Sequence, residues 1–590
     1  MFEKVLVANR GEIAIRVIRT LEEMGIASVA VYSELDRDAL HVARADEAYL
    51  LGGPTAAESY LNIEKILEVC RESGAAAVHP GYGFLAENAR FAQACEDAGI
   101  TFIGPPASAI EAMGSKTRAR GLMRDAGVPI VPGTTEPVSG VEEARDLIAD
   151  EIGYPVAVKA AGGGGGKGFR VAQDESELVA AFDGASREGE KFFSDPTVYL
   201  ERYLPDPRHV EVQVLADRHG NVVHLGERDC SVQRRHQKLI EESPAPAVDE
   251  ALRARIGEIG VEAARAVGYV GAGTIEGLLA DGAYFFLEMN TRVQVEHCVT
   301  EMVTGIDIVR EGILAAAGEP LSISQDDVVL SGHAIECRIN AEDASRRFTP
   351  APGQITSYRE PAGPGVRVDS GVGPGSEVTP MYDPMVAKLI VWDRDREHAT
   401  RRMLRALGEY EIGSLKTLIP FHAALLTTEQ WARGETCRDL IEDREWLKAL
   451  AFPKAEAEGP EGTPEPVEHS YTVEISGRKF DVRVIGPPFG GANGSVAAAT
   501  GPKPRRADRA AAENSGGADE LVSPLQGNMW KILVEPGQEV AEGQLVCIIE
   551  AMKMENEITA HKAGVIEQLA VKEGEPVSSG ATIAVIKSRD

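Results

Sequence analysis

A chain of 590 residues is too long for one hydrophobic core, so three to five units of ~100 to 200 residues are expected. Hydrophobic residues at 43% and charged residues at 26% lie in the globular range, so most of the chain should fold. The 61 Lys and Arg against 92 Asp and Glu give a net charge of -31, which argues against nucleic acid or an anionic membrane as partner and leaves any anionic substrate to local cationic clusters.

Lys4 to Ala8, then Ile13, Val17, Ile18 and Leu21 at helical spacing, then Ser28 to Val31 read as strand, helix and strand, hence a parallel sheet in the first 110 residues. The loop after the first strand is Asn9-Arg10-Gly11-Glu12 and not G-x-G-x-x-G, so no dinucleotide site is supported there. Residues 1 to 18 carry charges inside the first apolar stretch and no run of about 18 apolar residues occurs, so neither a signal peptide nor a membrane span is expected.

From 115 to 445 strands mix with helices near 251 to 267 and 396 to 408, which implies at least one large α+β catalytic unit. Within it, Val156 to Val171 reads as strand, glycine loop, strand, and the glycines let backbone N–H groups wrap phosphate oxygens without Cβ clashes. Lys159 and Lys116 are natural phosphate partners; a flexible hairpin with no ligand is the alternative. A Walker loop is excluded because Gly168, rather than Ser or Thr, follows Lys167.

Cys230 to Lys238 packs Arg234, Arg235, His236 and Lys238 into five positions, enough charge for bicarbonate and phosphate, although such clusters are often solvated faces. Further on, Thr274 to Gly277 and Phe285 to Asn290 flank the turn Asp281-Gly282. A hairpin centred on Gly282 sets Glu276 opposite Glu288, a conflict of like charges that a divalent cation would remove. Hard oxygen ligands from Glu276, Glu288 and Asn290 suit magnesium; a register one residue off, with solvated carboxylates, is the other reading. By period-two alternation Arg292, Gln294 and Glu296 continue that strand face, which would add a fixed cation and a candidate general base; a surface strand of mixed charge is the other reading.

Beyond Lys454 to Glu468 an alternating run predicts a lone hairpin around Ser476-Gly477, and residues 486 to 519, rich in Gly, Ala, Pro and Ser, read as a linker. As a random coil, ~30 such residues span about 30 Å. In the last 70 residues Gly527, Val534, Gly537, Val540 and Gly543 recur 37 positions later as Gly564, Val571, Gly574, Val577 and Gly580. Two four-strand halves follow, with Glu550 to Glu555, and Lys553 among them, as a tight turn at one end of a small β-sandwich; taken alone, Lys553 reads equally as an exposed lysine in a β-turn. The seven cysteines (70, 95, 230, 298, 337, 437 and 547) are scattered and never spaced C-x-x-C, so neither a disulfide framework nor a zinc site is indicated and a reducing cytosol fits.

The runs VANRGEIA, HPGYGFLAEN, KAAGGGGGKG, ERDCSVQRRHQK, FLEMNTRVQVEH and EAMKMEN resemble those of the biotin carboxylases and biotin carboxyl carriers, over about 1 to 446 and 521 to 588. The resemblance implies a multidomain α/β and α+β chain: an ATP-grasp biotin carboxylase with an N-terminal Rossmann-like preATP-grasp domain (1–114), an ATP-grasp domain (115–330) and a C-terminal carboxylase domain (331–446). A spacer with the hairpin (447–488), a linker (489–519) and an all-β biotinyl, lipoyl-like flattened barrel (520–588) complete it. It further implies nucleotide binding by Lys116, Lys159, Gly164, Gly165, Gly166, Glu201, His209, Gln233, His236 and Leu278, with magnesium or manganese on Glu276, Glu288 and Asn290. Lys238 and Arg292 would hold bicarbonate, Glu296 would deprotonate it, Arg338 would stabilise the enolate of biotin, and biotin itself would sit on Lys553. Arg202, Ala157 and Phe169 stand at positions that vary around the nucleotide in the family.

No carboxyltransferase remains in the leftover residues, so the organisation resembles the α-chains of bacterial acyl-CoA carboxylases. The partners implied are a biotin protein ligase, a carboxyltransferase β subunit and a second copy of the chain, as a dimer within a larger α/β complex; the hairpin near 470 to 485 resembles a cut-down docking domain. Another ATP-grasp ligase, or a carrier scaffold with a dead enzyme, would leave Lys553 or the intact Glu288, Asn290, Arg292, Glu296 and Arg338 unexplained.

Overall fold

The computed structural model describes residues 1–161, 168–193, 195–235, 237–452, 467–475, 478–486, 519–524, 527–551, 554–578 and 580–587. Residues 1–451 with 519–590 form one compact unit and 452–518 another.

The chain opens with β1 (Lys4–Val7), α1 (Gly11–Glu23), β2 (Ala27–Ser33), β3 (Glu47–Gly52), β4 (Ala77–His79) and β5 (Thr101–Phe102). They make a five-stranded parallel sheet in the order β3-β2-β1-β4-β5. Leu6, Val29 and Val78 face one side and Val5, Val7 and Ala77 the other, as expected of a strand buried on both faces. This is the doubly wound, Rossmann-like layer.

Helix α2 (Lys116–Asp125) leads to β6 (Val156–Ala160), β7 (Phe169–Ala172) and β8 (Val198–Arg202), which pair as β7-β6-β8. The glycine run is therefore flanked by paired strands, with Lys159 opposite Phe169; residues 162–167, including Gly164, Gly165 and Gly166, lie outside the described residues.

The framework of the site is an eight-stranded sheet. It contains β9 (Arg208–Ala216), β10 (Val222–Arg234), β11 (Gln237–Ser243), β12 (Gly271–Ala280), β13 (Ala283–Asn290), β14 (His333–Asn340), β15 (Val366–Ser370) and β16 (Met385–Asp393), in the order β13-β12-β9-β10-β11-β14-β16-β15. Because Ile240 of β11 pairs with Cys337 of β14, segments 115–330 and 331–446 share this sheet. Helices form at Glu250–Ala266 (α3), where Asp249 caps the first turn, and at Arg396–Glu409 (α5), where Asp395 does. Between them in sequence, α4 (His297–Thr304) buries Cys298, Val299 and Val303 against Ala334 and Ile390 of the sheet.

In 452–518, β17 (Val467–Ile475) and β18 (Arg478–Gly486) form a hairpin in which Ile475 pairs with Arg478, so the connection at Ser476 and Gly477 falls where the sequence indicated.

The C-terminal domain has β19 (Glu520–Val522), β20 (Gly527–Ile532), β21 (Glu539–Val540), β22 (Leu545–Ala551), β23 (Met554–Thr559), β24 (Gly564–Leu569), β25 (Pro576–Val577) and β26 (Thr582–Lys587). The repeat of 37 relates β20, β21 and β22 to β24, β25 and β26 strand by strand. The halves interlock: the sheets run β19-β26-β24-β21 and β23-β22-β20-β25, each taking two strands from each half. Repeat glycines stand where L side chains are strained, Gly537 and Gly574 at φ 89° and 82° and Gly543 and Gly580 at 80° and 82°. Ala551 pairs with Met554, so Met552 and Lys553 fall between paired positions; both lie outside the described residues.

Candidate active site

The hairpin β12–β13 turns at Asp281 and Gly282, both at positive φ (50° and 75°), with Ala280 opposite Ala283. Such a two-residue turn is centred between residues 281 and 282, which by itself would pair Glu276 with Leu287. A one-residue bulge after Phe286 shifts the register, and Glu276 faces Glu288 after all, with Asn290 opposite Thr274. The sequence-derived pairing is right although its assumed centre is not.

The expectation that the strand continues through Arg292, Gln294 and Glu296 is not met, because β13 ends at Asn290. Glu87, from the N-terminal segment, pulls the chain out of the ladder: its carboxylate accepts from the backbone N–H of Thr291 at 3.0 Å and from Arg292 Nε at 2.8 Å. The three residues still converge. Arg292 Nη2 donates to Asn290 Oδ1 at 3.0 Å, Gln294 Nε2 donates to Glu276 Oε1 at 2.7 Å, and Glu296 becomes the residue before α4.

Lys238 lies at the centre. Its Nζ donates to Glu211 at 2.6 Å, Glu276 at 2.8 Å and Glu296 at 2.5 Å, so all three of its N–H groups are used. Arg338 reaches Glu296 from the other side at 2.9 Å and Glu241 at 2.6 Å. Burial pushes the Glu296 carboxyl up, but Lys238, Arg338 and Arg228 outweigh it and hold it well below the ordinary carboxylate range. Glu276 is also held well below that range, burial again being overcome, here by Lys238 and His209. His209 Nε2 lies 3.1 Å from Glu276 Oε2; burial lowers its pKa, Glu276 raises it more, and the net shift is upward.

The run of cations at 234–238 divides. Gln233 pairs with Lys238 across the β10–β11 turn, Arg234 stacks over Phe348 at 4.8 Å, Arg235 is exposed at φ 45°, and His236 lies outside the described residues. On the other lobe Lys159 Nζ bonds Glu201, which also accepts from Arg120 at 2.6 Å. Lys116 opens α2, and Leu278 pairs with His209 in register.

Sequence reasoning missed three groups. Arg228 is fully buried and spends all five donors: Nε on Glu211 (2.6 Å), Nη1 on Gln213 (2.8 Å) and Thr300 (3.0 Å), Nη2 on Thr274 (3.1 Å) and Gln294 (2.8 Å). Glu211 and Glu241 are the others. The alternation His209, Glu211, Gln213 along β9 was a signal available for Glu211.

Opposed carboxylates beside a buried ammonium on one sheet, with Lys159 on a strand of another sheet next to a glycine-rich run of the sequence, are the parts of an ATP-grasp ligase. Family models match as "Biotin carboxylase, N-terminal domain" over 1–110, "Carbamoyl-phosphate synthase L chain, ATP binding domain" over 115–324, "Biotin carboxylase C-terminal domain" over 336–443 and "Biotin-requiring enzyme" over 519–586. The chain belongs to the family of biotin carboxylase/biotin carboxyl carrier α-chains of bacterial acyl-CoA carboxylases, a family that works with covalent biotin, ATP and magnesium. It is 46% identical over 595 residues, 99% of this chain and 98% of the relative, to the biotin-dependent acyl-coenzyme A carboxylase alpha3 subunit of Mycobacterium leprae. A pyruvate carboxylase chain of Methanothermobacter thermautotrophicus is 55% identical over 443 residues, 75% of this chain and 90% of that one. The biotin carboxylase domain dimer of Hydrogenobacter thermophilus 2-oxoglutarate carboxylase, in complex with ADP, its magnesium salt and bicarbonate, aligns with a TM-score of 0.72 at 48% identity, covering 77% of this chain and 100% of that one.

The residues present fit a hard cation. Glu276 and Glu288 are directly opposed, and Asn290, two residues beyond Glu288 on the same strand face, adds a carboxamide oxygen, a hard ligand that here accepts from Arg292 at 3.0 Å. No helix among the described residues is long and apolar enough to cross a membrane.

Proposed function

We propose that this chain carries out the first half-reaction of an acyl-CoA carboxylase, using ATP and bicarbonate to carboxylate biotin carried on Lys553 of its own C-terminal domain. The observation that carries the reading is Glu296, buried and ionised between Lys238 at 2.5 Å and Arg338 at 2.9 Å. A carboxylate so held accepts a proton from bicarbonate while the two cations retain the anion beside it.

Lys238 and Arg292 hold bicarbonate; since every Lys238 N–H is engaged, the anion enters by replacing a carboxylate partner. Glu296 takes the bicarbonate proton, and the freed oxygen attacks the γ-phosphorus of ATP, giving carboxyphosphate and ADP. Lys116, Lys159, Glu201, His209, Gln233, His236, Leu278 and the backbone of Gly164, Gly165 and Gly166 hold the nucleotide. Glu276, Glu288 and Asn290 would hold magnesium or manganese, which would neutralise phosphate charge. Biotin on Lys553 would supply a ureido nitrogen for the CO2 that carboxyphosphate releases together with phosphate, the N–H proton going to that phosphate, and Arg338, always cationic, would face the negative charge that develops on biotin.

The division proposed is 1–114, 115–330 and 331–446 for the carboxylase, 447–488 for a spacer, 489–519 for a linker and 520–588 for the carrier. A separate carboxyltransferase β subunit takes the carboxyl group to acetyl-CoA or propionyl-CoA, a biotin protein ligase loads Lys553, and the chain works in the cytoplasm as a dimer within an α/β complex. The acyl-CoA acceptor is favoured because the relative of that description matches end to end, whereas the pyruvate carboxylase relative matches over 75% of this chain. A 2-oxo acid acceptor is the second reading, supported by that relative. Bicarbonate-dependent ATP turnover stimulated by free biotin tests the half-reaction, and Glu296→Gln should lower it by about 10²- to 10⁴-fold. Turnover that ignores bicarbonate would reject it. Reconstitution with acetyl-CoA, propionyl-CoA and pyruvate carboxyltransferase partners separates the acceptors.

A further inference from the structure

Beneath Arg338 lies a pair of acids to which the reading above gives no role. β11 and β14 pair so that Glu241 directly opposes Glu336, and Glu336 alternates with Ala334 and Arg338 on the sheet face that α4 covers. Both carboxyls are fully buried. Glu241 Oε1 accepts from Arg338 Nε at 2.6 Å, while Glu241 Oε2 and both oxygens of Glu336 have no hydrogen-bond partner among the described residues. Opposed like charges repel across a sheet, and a buried carboxylate that accepts no hydrogen bond takes up a proton rather than stay charged.

We propose that Glu241 and Glu336 share one proton, with Glu336 the neutral member and Glu241 the ionised one, and that the pair positions Arg338 by its Nε so that its Nη edge faces Glu296 and the reacting anion. This rests on the role given to Arg338 above. Burial pushes both carboxyls up, Glu241 to about 7 and Glu336 well above the ordinary range, with Arg338 opposing the rise at Glu241 and Lys388 at Glu336. The hydrogen bond from Arg338 keeps Glu241 the ionised partner.

Charged and titratable groups interact electrostatically with the pair from each packed element: Lys238 on β11, Arg338 and, from the opposite sheet face, Cys337 on β14, Lys388 on β16, Glu296 and Cys298 at α4, and Cys230 on β10. The three thiols are pushed well above their ordinary range by burial and stay neutral. Loss of the shared proton to solvent as pH rises puts a second negative charge behind Arg338 and offsets the charge it presents. Activity then falls on the alkaline side through this pair, in the direction opposite to the loss expected at Glu296.

The test is the pH profile of kcat for carboxylation by the full biotinylated chain, compared with Glu336→Gln, Glu336→Met and Glu241→Gln. In Glu336→Gln, whose side chain has no proton to lose, the alkaline limb should move to higher pH. Glu241→Gln, which frees Arg338, should lower kcat by about tenfold or more while the KM for ATP stays within about twofold, a split that general loss of structure would not give. An unmoved alkaline limb in Glu336→Gln, or a fall in kcat as large as that of Glu241→Gln, would overturn the pairing. Should Glu336→Gln fail to fold, Glu336→Met reads the same limb, and failure of both neutral replacements to fold contradicts a neutral Glu336. Wild-type turnover with an unmoved limb strikes only this inference, whereas wild type without bicarbonate-dependent turnover strikes the proposed function.

Discussion

Lys238 and Glu296 stand 58 positions apart in sequence, and their side chains meet at 2.5 Å in the core of the site. That contact, with Arg338 behind it, keeps a buried carboxylate ionised. Replacing Lys238 by Met removes the largest of the charges holding the Glu296 carboxyl down, so its pKa rises and protonation begins at higher pH. The acid limb of kcat/KM for bicarbonate should move up toward neutrality, with the rate at neutral pH falling on the order of a hundredfold. An acid limb that stays in place would show that Glu296 does not titrate in the rate.

Glu276 and Glu288 conflict as neighbours and cooperate in the metal site proposed for them. Glu288→Gln should therefore separate stability from metal use. The half-saturating magnesium concentration should rise by about tenfold or more, while unfolding without metal should shift by ~0.2 to 1 kcal/mol in the stabilising direction. Magnesium titration of turnover and urea unfolding in chelator give the two readings.

Arg228 joins β9, β10, β12 and α4 from a fully enclosed position, its side chain being 0% exposed. Arg228→Leu leaves Glu211, Gln213 and Gln294 short of a donor in a dry interior, which should cost about 3 to 5 kcal/mol of stability. The exposed pair Arg359–Glu411, at 67% and 61% side-chain exposure, is the contrast, and Arg359→Ala should change stability by no more than about 1 kcal/mol. Urea unfolding of the two variants compares them directly.

Glu301 on α4 accepts from Arg16 at 2.9 Å and from Arg367 at 2.7 Å. Burial raises its pKa, but Arg16, His297 and Arg367 bring it down from 4.5 to about 2. A carboxyl depressed in the folded state adds stability that is full above its unfolded value of 4.5 and disappears as pH falls through about 2. The contribution is on the order of 3 kcal/mol. Glu301→Gln should lower stability at neutral pH and flatten its dependence across that acid window, as followed by urea unfolding at stepped pH.

Local pattern made much of this protein legible. Two of the three glycine pairs repeated at 37 residues, Gly537 with Gly574 and Gly543 with Gly580, mark positive-φ turns of the carrier domain, and Asp281-Gly282 marks the hairpin that carries the proposed metal ligands. The opposition of Glu276 and Glu288 was found from an assumed centre half a residue off, and the bulge after Phe286 compensates. What failed was the extension of one period past its element: Arg292, Gln294 and Glu296 reach the site through a loop drawn out by Glu87, a partner 205 positions from Arg292. Arg228, Glu241 and Glu336 were silent because their meaning lies in which strands become neighbours, and β11 beside β14 is a pairing across almost a hundred residues that no window of sequence contains.

The most direct test of the account is transfer of labelled carbon from bicarbonate to the biotinylated chain in the presence of ATP and magnesium, with Lys553→Arg beside it and free biotin added to each. The account predicts acid-labile label on the wild-type chain, none on Lys553→Arg, and carboxylation of free biotin by both. Label on Lys553→Arg, or none on a wild-type chain whose mass shows one biotin, would contradict it.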